Sequence, residues 1–182
     1  MVRPTDELMD EHRVIERMLK ILSAASDDLA KGKDVDPGLF TQAVDFLQNF
    51  ADKCHHAKEE TLLFEKMIER GVSGEVGPIA VMMREHQDAR AHVRKLATLT
   101  KEKMSEKAKG GIIRSSRAYV DLLSKHIQKE DNVLYPLANQ VLEPEDQKEL
   151  EKGFEEIEQE LMGPGVHEKY HHMIEVWEEK YK

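Results

Sequence analysis

The sequence contains few of the residues that stabilise small secreted proteins. It has one cysteine, Cys54, so it cannot form an internal disulfide, and aromatic residues make up only 5% of its 182 residues. The N-terminus lacks the apolar core of a signal peptide. Apolar runs are also short of the roughly 20 residues that a membrane-spanning helix needs. These absences predict a cytoplasmic protein.

Positive charge is scarce as well. The formal net charge is −9 at pH 7, and acidic residues are distributed along the whole chain without a basic patch. A surface that binds nucleic-acid phosphates or an anionic membrane needs clustered lysine and arginine residues. We therefore expect no nucleic-acid partner and no membrane partner.

Charged residues of both signs are abundant, at 35% of the chain, which suits an all-α bundle with a solvated exterior. The length allows one well-buried core, and we predict a single domain over residues 1–182. The helical spacing of apolar residues predicts a core bundle over residues 5–140 and extra C-terminal helices over residues 144–182.

Two helix boundaries are predicted from glycine and proline positions. The third long helix is expected to dissolve around Lys107 to Gly111, where two adjacent glycines occur. Pro136 falls near the end of the fourth helix, where a proline is expected to kink or terminate the helix.

Two ten-residue segments, 55–64 and 126–135, are near copies of each other. Aligned without a gap, they superpose three polar residues on identical ones, namely His55 on His126, Lys58 on Lys129 and Glu59 on Glu130, and the apolar residues that follow also match. Each copy contains a His-x-x-x-Glu pair. Residues four apart lie on one face of an α-helix, one turn apart, so both side chains of a pair can reach the same metal ion.

A Glu-His dipeptide precedes each copy, as Glu11-His12 and Glu85-His86. The histidines fall on the apolar stripes that face the core, where an unpaired imidazole or carboxylate costs at least a few kcal/mol. Metal ions remove this cost, and donors without a thiolate select iron, manganese or zinc. We predict six metal ligands, with the two glutamates as bridges: His12, His55, Glu59, His86, His126 and Glu130.

Two alternatives stay open at this stage. His56 and Glu60 also form an i, i+4 pair, and a rotation of the helix by about 100° would exchange them for His55 and Glu59. The internal alignment favours the latter pair. Tyr119 lies two turns before His126 on the same face, either as a core residue or as a neighbour of the metal.

These motifs resemble those of the hemerythrin-like family, also called HHE cation-binding domains, over about residues 5–140. The resemblance rests on four motifs in the family's order: Glu11-His12, His55-x-x-x-Glu59-Glu60, Glu85-His86 and His126-x-x-x-Glu130-Asp131 followed by Val133-Leu134-Tyr135-Pro136. It implies an up-down four-helix bundle of hemerythrin type, here with extra C-terminal helices. It also implies two iron ions in a non-haem di-iron centre, bridged by carboxylates and completed by histidines.

The sequence departs from the hemerythrin pattern at one position. Hemerythrins generally supply a fifth histidine, often one turn after the one matched by His86, and Arg90 occupies that place here. Four histidines would leave more coordination positions open for exogenous ligands. Alternatively, His167 in the last helix folds back as the fifth ligand.

The resemblance implies a protein that binds dioxygen or a related small ligand as a carrier, store or sensor, with an unidentified redox partner protein. The alternative is a di-iron oxidoreductase that acts on peroxide, nitric oxide or oxygen, or a protein of iron handling and iron-centre repair. An iron-dependent regulator and a structural bundle that holds zinc are further hypotheses. Family resemblance alone does not choose among these activities, and it assigns no catalytic residue.

Overall fold

The computed structural model describes residues 3–102, 104–163 and 165–181 of the chain. Within these ranges the chain is all-α, with six helices and no strand. We number the helices α1 to α6. Two of them have uniform winding and belong to the bundle, namely α1 (Pro4–Ala30) and α3 (Pro78–Leu99). The last helix, α6, spans Val166–Lys180.

The other three helices contain π-helical segments. Helix α2 runs through Pro37–Phe46, the π-helical segments Leu47–His56 and Glu59–Leu63, and finally Phe64–Glu69. Helix α4 runs through Glu106–Lys129, the π-helical segment Glu130–Leu134 and Tyr135–Val141. Helix α5 consists of Pro144–Ile157 and the π-helical segment Glu158–Met162.

The duplicated sequence is accompanied by a duplicated change of winding. Glu59 and Glu130 are each the first residue of a five-residue π-helical segment. Such wide turns inside α-helices occur frequently at functional sites. The predicted bridging glutamates therefore occupy equivalent places in α2 and α4.

Helices α1 to α4 form the predicted four-helix bundle, in which α4 packs against both α1 and α3. Its interior contains two apolar clusters, one around Ile15, Phe46 and Leu96 and the other around Leu8, Phe64 and Met82. The predicted ligands of α1, α2 and α3 lie between the two clusters, and in α4 Glu130 does so while His126 lies beside Ile127 of the first cluster. In α1, for example, His12 lies between Leu8 of one cluster and Ile15 of the other.

Helices α5 and α6 pack on the outside of the bundle, as the sequence predicts. Phe154 of α5 and Trp177 of α6 are buried in the two apolar clusters. The Trp177 indole donates a hydrogen bond to Gln42 over 2.9 Å, and Arg17 contacts Glu178 at 2.7 Å. In the part of the chain that the structure describes, no helix has the length and apolar character needed to cross a membrane.

The predicted end of the third helix is wrong. Helix α3 ends at Leu99, and α4 already begins at Glu106, where the Ser105 side chain accepts a hydrogen bond from the Ala108 backbone. Gly111 does not break the chain's helical winding but lies inside α4. It allows close packing against Leu99 of α3, since a Cβ atom at this position would lie 2.9 Å from the Leu99 side chain.

Pro136 does not terminate α4, which continues to Val141. A proline lacks one backbone donor and crowds the carbonyl group four residues before it. The π-helical segment Glu130–Leu134 lies directly before this point and changes the winding where the α-helical bond would be lost. Pro136 is therefore accommodated within a continuous helix.

Candidate metal centre

The structure brings all six predicted ligands into one buried layer of the bundle. Their side chains are at most 1% exposed and come from α1, α2, α3 and α4: His12, His55, Glu59, His86, His126 and Glu130. His56 joins them at 2% exposure. Their function as metal ligands remains a prediction, whereas their convergence is a feature of the fold.

The donor atoms form two groups that share a carboxylate. One group consists of His12, His55, Glu59 and Glu130, and the other of His56, Glu59, His86 and His126. Within each group the donor atoms lie within 4.8 Å of one another.

Glu130 also spans the two groups. Its Oε2 lies 3.2 Å from His12 Nε2, and its Oε1 lies 3.0 Å from His126 Nε2. The Oε2 of Glu59 lies 3.7 Å from His55 Nε2 and 3.4 Å from His86 Nε2. Each glutamate therefore faces imidazoles of both groups, as a bridging ligand would.

Several of these atoms have unused bonding capacity. His55 Nε2, Glu59 Oε2 and both carboxylate oxygens of Glu130 are buried without a hydrogen-bond partner among the described residues. Native proteins rarely leave buried polar atoms unpartnered, because each costs free energy. Imidazole nitrogens and carboxylate oxygens are donors that iron, manganese and zinc accept. The residues present therefore fit a pair of such metal ions.

Each of four histidines is oriented by a carboxylate on its Nδ1 atom. The Nδ1 to carboxylate distances are 2.6 to 2.9 Å in four pairs: His12 with Asp131, His55 with Glu11, His86 with Glu60 and His126 with Glu85. A proton shared on Nδ1 leaves the Nε2 lone pair directed at the centre, an arrangement typical of metal-binding histidines.

Basic residues in turn hold these four carboxylates. Lys58 Nζ lies 2.7 Å from Glu11, and an Arg90 guanidinium nitrogen lies 2.9 Å from Glu60. Arg13 contacts Asp131, and Lys129 contacts Glu85. Every oriented imidazole is therefore backed by a carboxylate and then by a cation.

The surroundings shift the pKa values of the two shared glutamates in opposite directions. Burial and the negative charge of Glu130 raise the pKa of Glu59 well above 4.5. Burial also acts to raise the pKa of Glu130, but His126, His12 and His86 outweigh it and lower that pKa well below 4.5. Glu130 is thus the more strongly ionised of the pair.

The pKa values of the two histidines in the first group are also shifted in opposite directions. Burial acts to lower the pKa of His12, but Asp131 and Glu130 outweigh this effect and raise it to about 9. Burial lowers the pKa of His55 to about 4 despite the hydrogen bond to Glu11. His55 is therefore neutral at pH 7, whereas His12 must release a proton before it can bind a metal ion.

The sequence left open whether His55 and Glu59 or His56 and Glu60 face the centre, and the structure brings three of these four residues into it. Both histidines lie in the centre, whereas Glu60 turns away to His86 Nδ1 and Arg90. A π-helical turn holds more residues than an α-helical turn, so adjacent side chains are separated by a smaller rotation. His55 and His56 end such a segment, which allows both to face inward.

His56 is thus a fifth histidine within the candidate centre, in addition to the four that the sequence predicted as ligands. The signals for it in the sequence are the His55-His56 doublet and the i, i+4 spacing of His56 and Glu60. Arg90 pairs with Glu60 and with Asp52, whose Oδ1 lies 2.6 Å from its Nε. Beside His56 a cavity of about 90 Å³ is lined in part by Arg90 and Tyr119.

The alternative fifth ligand, His167, lies outside both groups. Its Nε2 is 2.7 Å from Glu158, in a third group with Glu11 and Cys54. The Lys58 ammonium lies 2.7 Å from Glu11 and 3.6 Å from Glu158, and it already supplies positive charge there. Burial raises the pKa of the Cys54 thiol to about 12, so Cys54 is not an activated thiolate.

The tyrosine that contacts the centre is Tyr135 rather than Tyr119. The Tyr135 hydroxyl donates a hydrogen bond to Glu59 Oε1 over 2.8 Å and lies 3.3 Å from His12 Nε2. Tyr119 is equally buried, but its hydroxyl has no hydrogen bond within the described ranges. Tyr135 is part of the duplicated segment, and its position beside His12 depends on how α4 packs against α1.

A model of a known protein family matches the part of the chain that contains the candidate metal centre. The Hemerythrin HHE cation binding domain model matches residues 3–138, which include every residue of the two donor groups. The chain belongs to this family. It therefore combines the helical bundle of a cation-binding domain with histidine and glutamate clusters that fit a metal site.

Curated relatives extend over most of the chain. Uncharacterized proteins of Mycobacterium bovis and of two strains of Mycobacterium tuberculosis, CDC 1551 and H37Rv, are each 22% identical to it over 164 residues. The alignment covers 89% of this chain and 64% of each relative. The chain thus spans less than two thirds of the length of these relatives.

Proposed function

We propose that this protein is a non-haem di-iron protein of hemerythrin type that binds dioxygen or a related small ligand, as a carrier, store or sensor. The observation that supports this most directly is the sharing of Glu59 and Glu130 between two buried groups of histidines. Two ions held between these carboxylates would use Glu59 Oε2 and the two Glu130 oxygens, which have no hydrogen-bond partner among the described residues.

The chain's own residues would hold such a centre in a fixed geometry. His12 and His55 would bind one ion, and His56, His86 and His126 would bind the other. When bound, iron supplies a redox-active metal that takes up small ligands. The surrounding carboxylates and cations orient the imidazoles, and the two apolar clusters exclude bulk water from the layer between them.

The test is to load the protein with ferrous iron without oxygen and to record its visible absorption before and after air is admitted. We expect a charge-transfer band that forms in air and disappears when oxygen is removed. Rapid, irreversible oxidation to the diferric protein would instead favour the oxidoreductase or iron-handling hypotheses. Failure to retain two irons per chain would refute the di-iron assignment.

A further inference from the structure

Tyr135 and Phe64 occupy equivalent positions at the ends of the two duplicated segments. Each ring stacks on the histidine of a Glu-His dipeptide. Tyr135 stacks on His12 with 5.4 Å between ring centroids, and Phe64 stacks on His86 with 6.0 Å. Both rings are at most 1% exposed. The two aromatic positions therefore differ mainly by one hydroxyl group.

That hydroxyl group contacts one of the two shared glutamates. It donates a hydrogen bond to Glu59 Oε1 over 2.8 Å. The other oxygen, Oε2, faces His55 and His86 and has no hydrogen-bond partner among the described residues. Tyr135 thus engages one oxygen of Glu59 and leaves the other for the space between the two histidine groups.

The two groups also supply unequal numbers of imidazoles. One has three, from His56, His86 and His126, whereas the other has only His12 and His55. An ion in the second group therefore has fewer protein donors and keeps more positions for exogenous ligands. The Tyr135 hydroxyl borders this side of the centre, 3.3 Å from His12 Nε2.

We propose that Tyr135 is a positioning residue that holds Glu59 Oε1 away from the ion bound by His12 and His55, and so preserves a coordination position for a small exogenous ligand. This inference rests on the proposed di-iron function. Its basis in this chain is the internal comparison with Phe64, which stacks in the same way without a hydroxyl group.

The test compares Tyr135→Phe with Tyr119→Phe, loaded with ferric iron and titrated with azide while the visible absorption is recorded. Tyr135→Phe should retain two irons and bind azide at least about tenfold more weakly, because the freed Glu59 oxygen competes for the position. Tyr119→Phe is the matched control, since it removes a hydroxyl that has no hydrogen bond to any described residue from an equally buried tyrosine of the same helix.

Unchanged azide affinity in Tyr135→Phe would overturn the proposal, as would an equal loss in both variants. Loss of an iron from Tyr135→Phe alone would also overturn it, because a positioning residue is not needed to hold the metal. Phenylalanine at the equivalent position 64 indicates that the variant folds, and its helix content is checked by circular dichroism. Failure of the unmodified protein to hold two irons would refute the proposed function instead.

Discussion

The two halves of the candidate centre contain the same parts but differ in how they are covered. In the first half, Glu11 contacts both His55 and Lys58, and in the second, Glu85 contacts both His126 and Lys129. The Lys58 side chain is 0% exposed, whereas that of Lys129 is 41% exposed.

The C-terminal helices account for this difference. Glu158 of α5 lies 3.6 Å from Lys58 Nζ, and the Phe154 ring lies 5.5 Å from the same atom. These helices have no counterpart over Lys129 in the duplicated pattern. Duplication thus explains the pairing of ligands and orienting residues, while the added helices make one half more buried than the other.

A second difference is chemical. His56 aligns with Ile127, and Tyr135 aligns with Phe64, so a repeat that is nearly symmetric in its bridging glutamates is asymmetric in imidazoles and hydroxyl groups. An asymmetric pair of sites is suited to holding one ion firmly and leaving the other open to a ligand. The predictions below test these differences, beginning with the largest effect.

Replacement of a central ligand should have the largest effect. His126→Ala is expected to lose at least one metal ion per chain, because the change removes one imidazole of its donor group, whose Nε2 lies 3.0 Å from Glu130. Metal analysis after gel filtration measures the loss. His92→Ala, outside both donor groups, should keep all its metal. Full metal retention in His126→Ala would contradict the assignment.

The two equivalent lysines should differ in their contribution to stability. Lys58→Met leaves Glu11 buried without its cation and should lower the free energy of unfolding by about 3–5 kcal/mol. Lys129→Met removes a partly exposed ion pair and should cost about 1 kcal/mol or less. Urea unfolding of both metal-free variants gives the two values. Equal costs would show that the C-terminal helices do not make the halves energetically different.

The extra histidine should affect one ion only. His56→Ile reproduces the residue found at the equivalent position of the second segment. It should weaken one of the two binding steps by about tenfold to a hundredfold, since an imidazole is lost from the group that has three. Calorimetric titration with ferrous iron resolves the two steps. Equal weakening of both steps, or of neither, would argue against His56 as a ligand of one ion.

The smallest effect concerns the pair of His167 and Glu158 within the covering helices. The hydrogen bond to Glu158 raises the pKa of His167 above 6.5, despite partial burial. Because the pKa of His167 is higher in the folded than in the unfolded protein, its interaction with Glu158 stabilises the fold fully below pH 6.5. This stabilisation is lost as the pH rises through the raised pKa.

The contribution of this pair should be below about 1 kcal/mol because His167 is partly exposed. Urea unfolding of the unmodified protein and of His167→Ala at pH 6 and at pH 9 measures it. The difference in unfolding free energy between the two proteins should shrink at the higher pH. A difference that is constant with pH would show that the ion pair does not contribute.

Much of this architecture was predictable from the sequence. Helical periodicity predicted an all-α fold, and the duplicated His-x-x-x-Glu pairs pointed to the buried layer because their spacing matches one helical turn. That both His55 and His56 face the centre was not predicted, because periodicity assumes a rotation of about 100° per residue and π-helical winding departs from it.

Contacts between distant segments were not predictable in this way. Asp131 orients His12 from another helix, and Glu60 does the same for His86. These pairings depend on how the helices pack against one another, and sequence spacing alone carries no information about that packing. The burial of Lys58 likewise depends on where α5 docks.

The most direct test of the central claim is an anaerobic titration of the metal-free protein with ferrous iron, with the bound metal quantified after each addition. The account predicts that binding saturates at two ions per chain, because two histidine groups share Glu59 and Glu130. Saturation at one ion, or no retained iron, would contradict a dinuclear centre built from the duplicated segments.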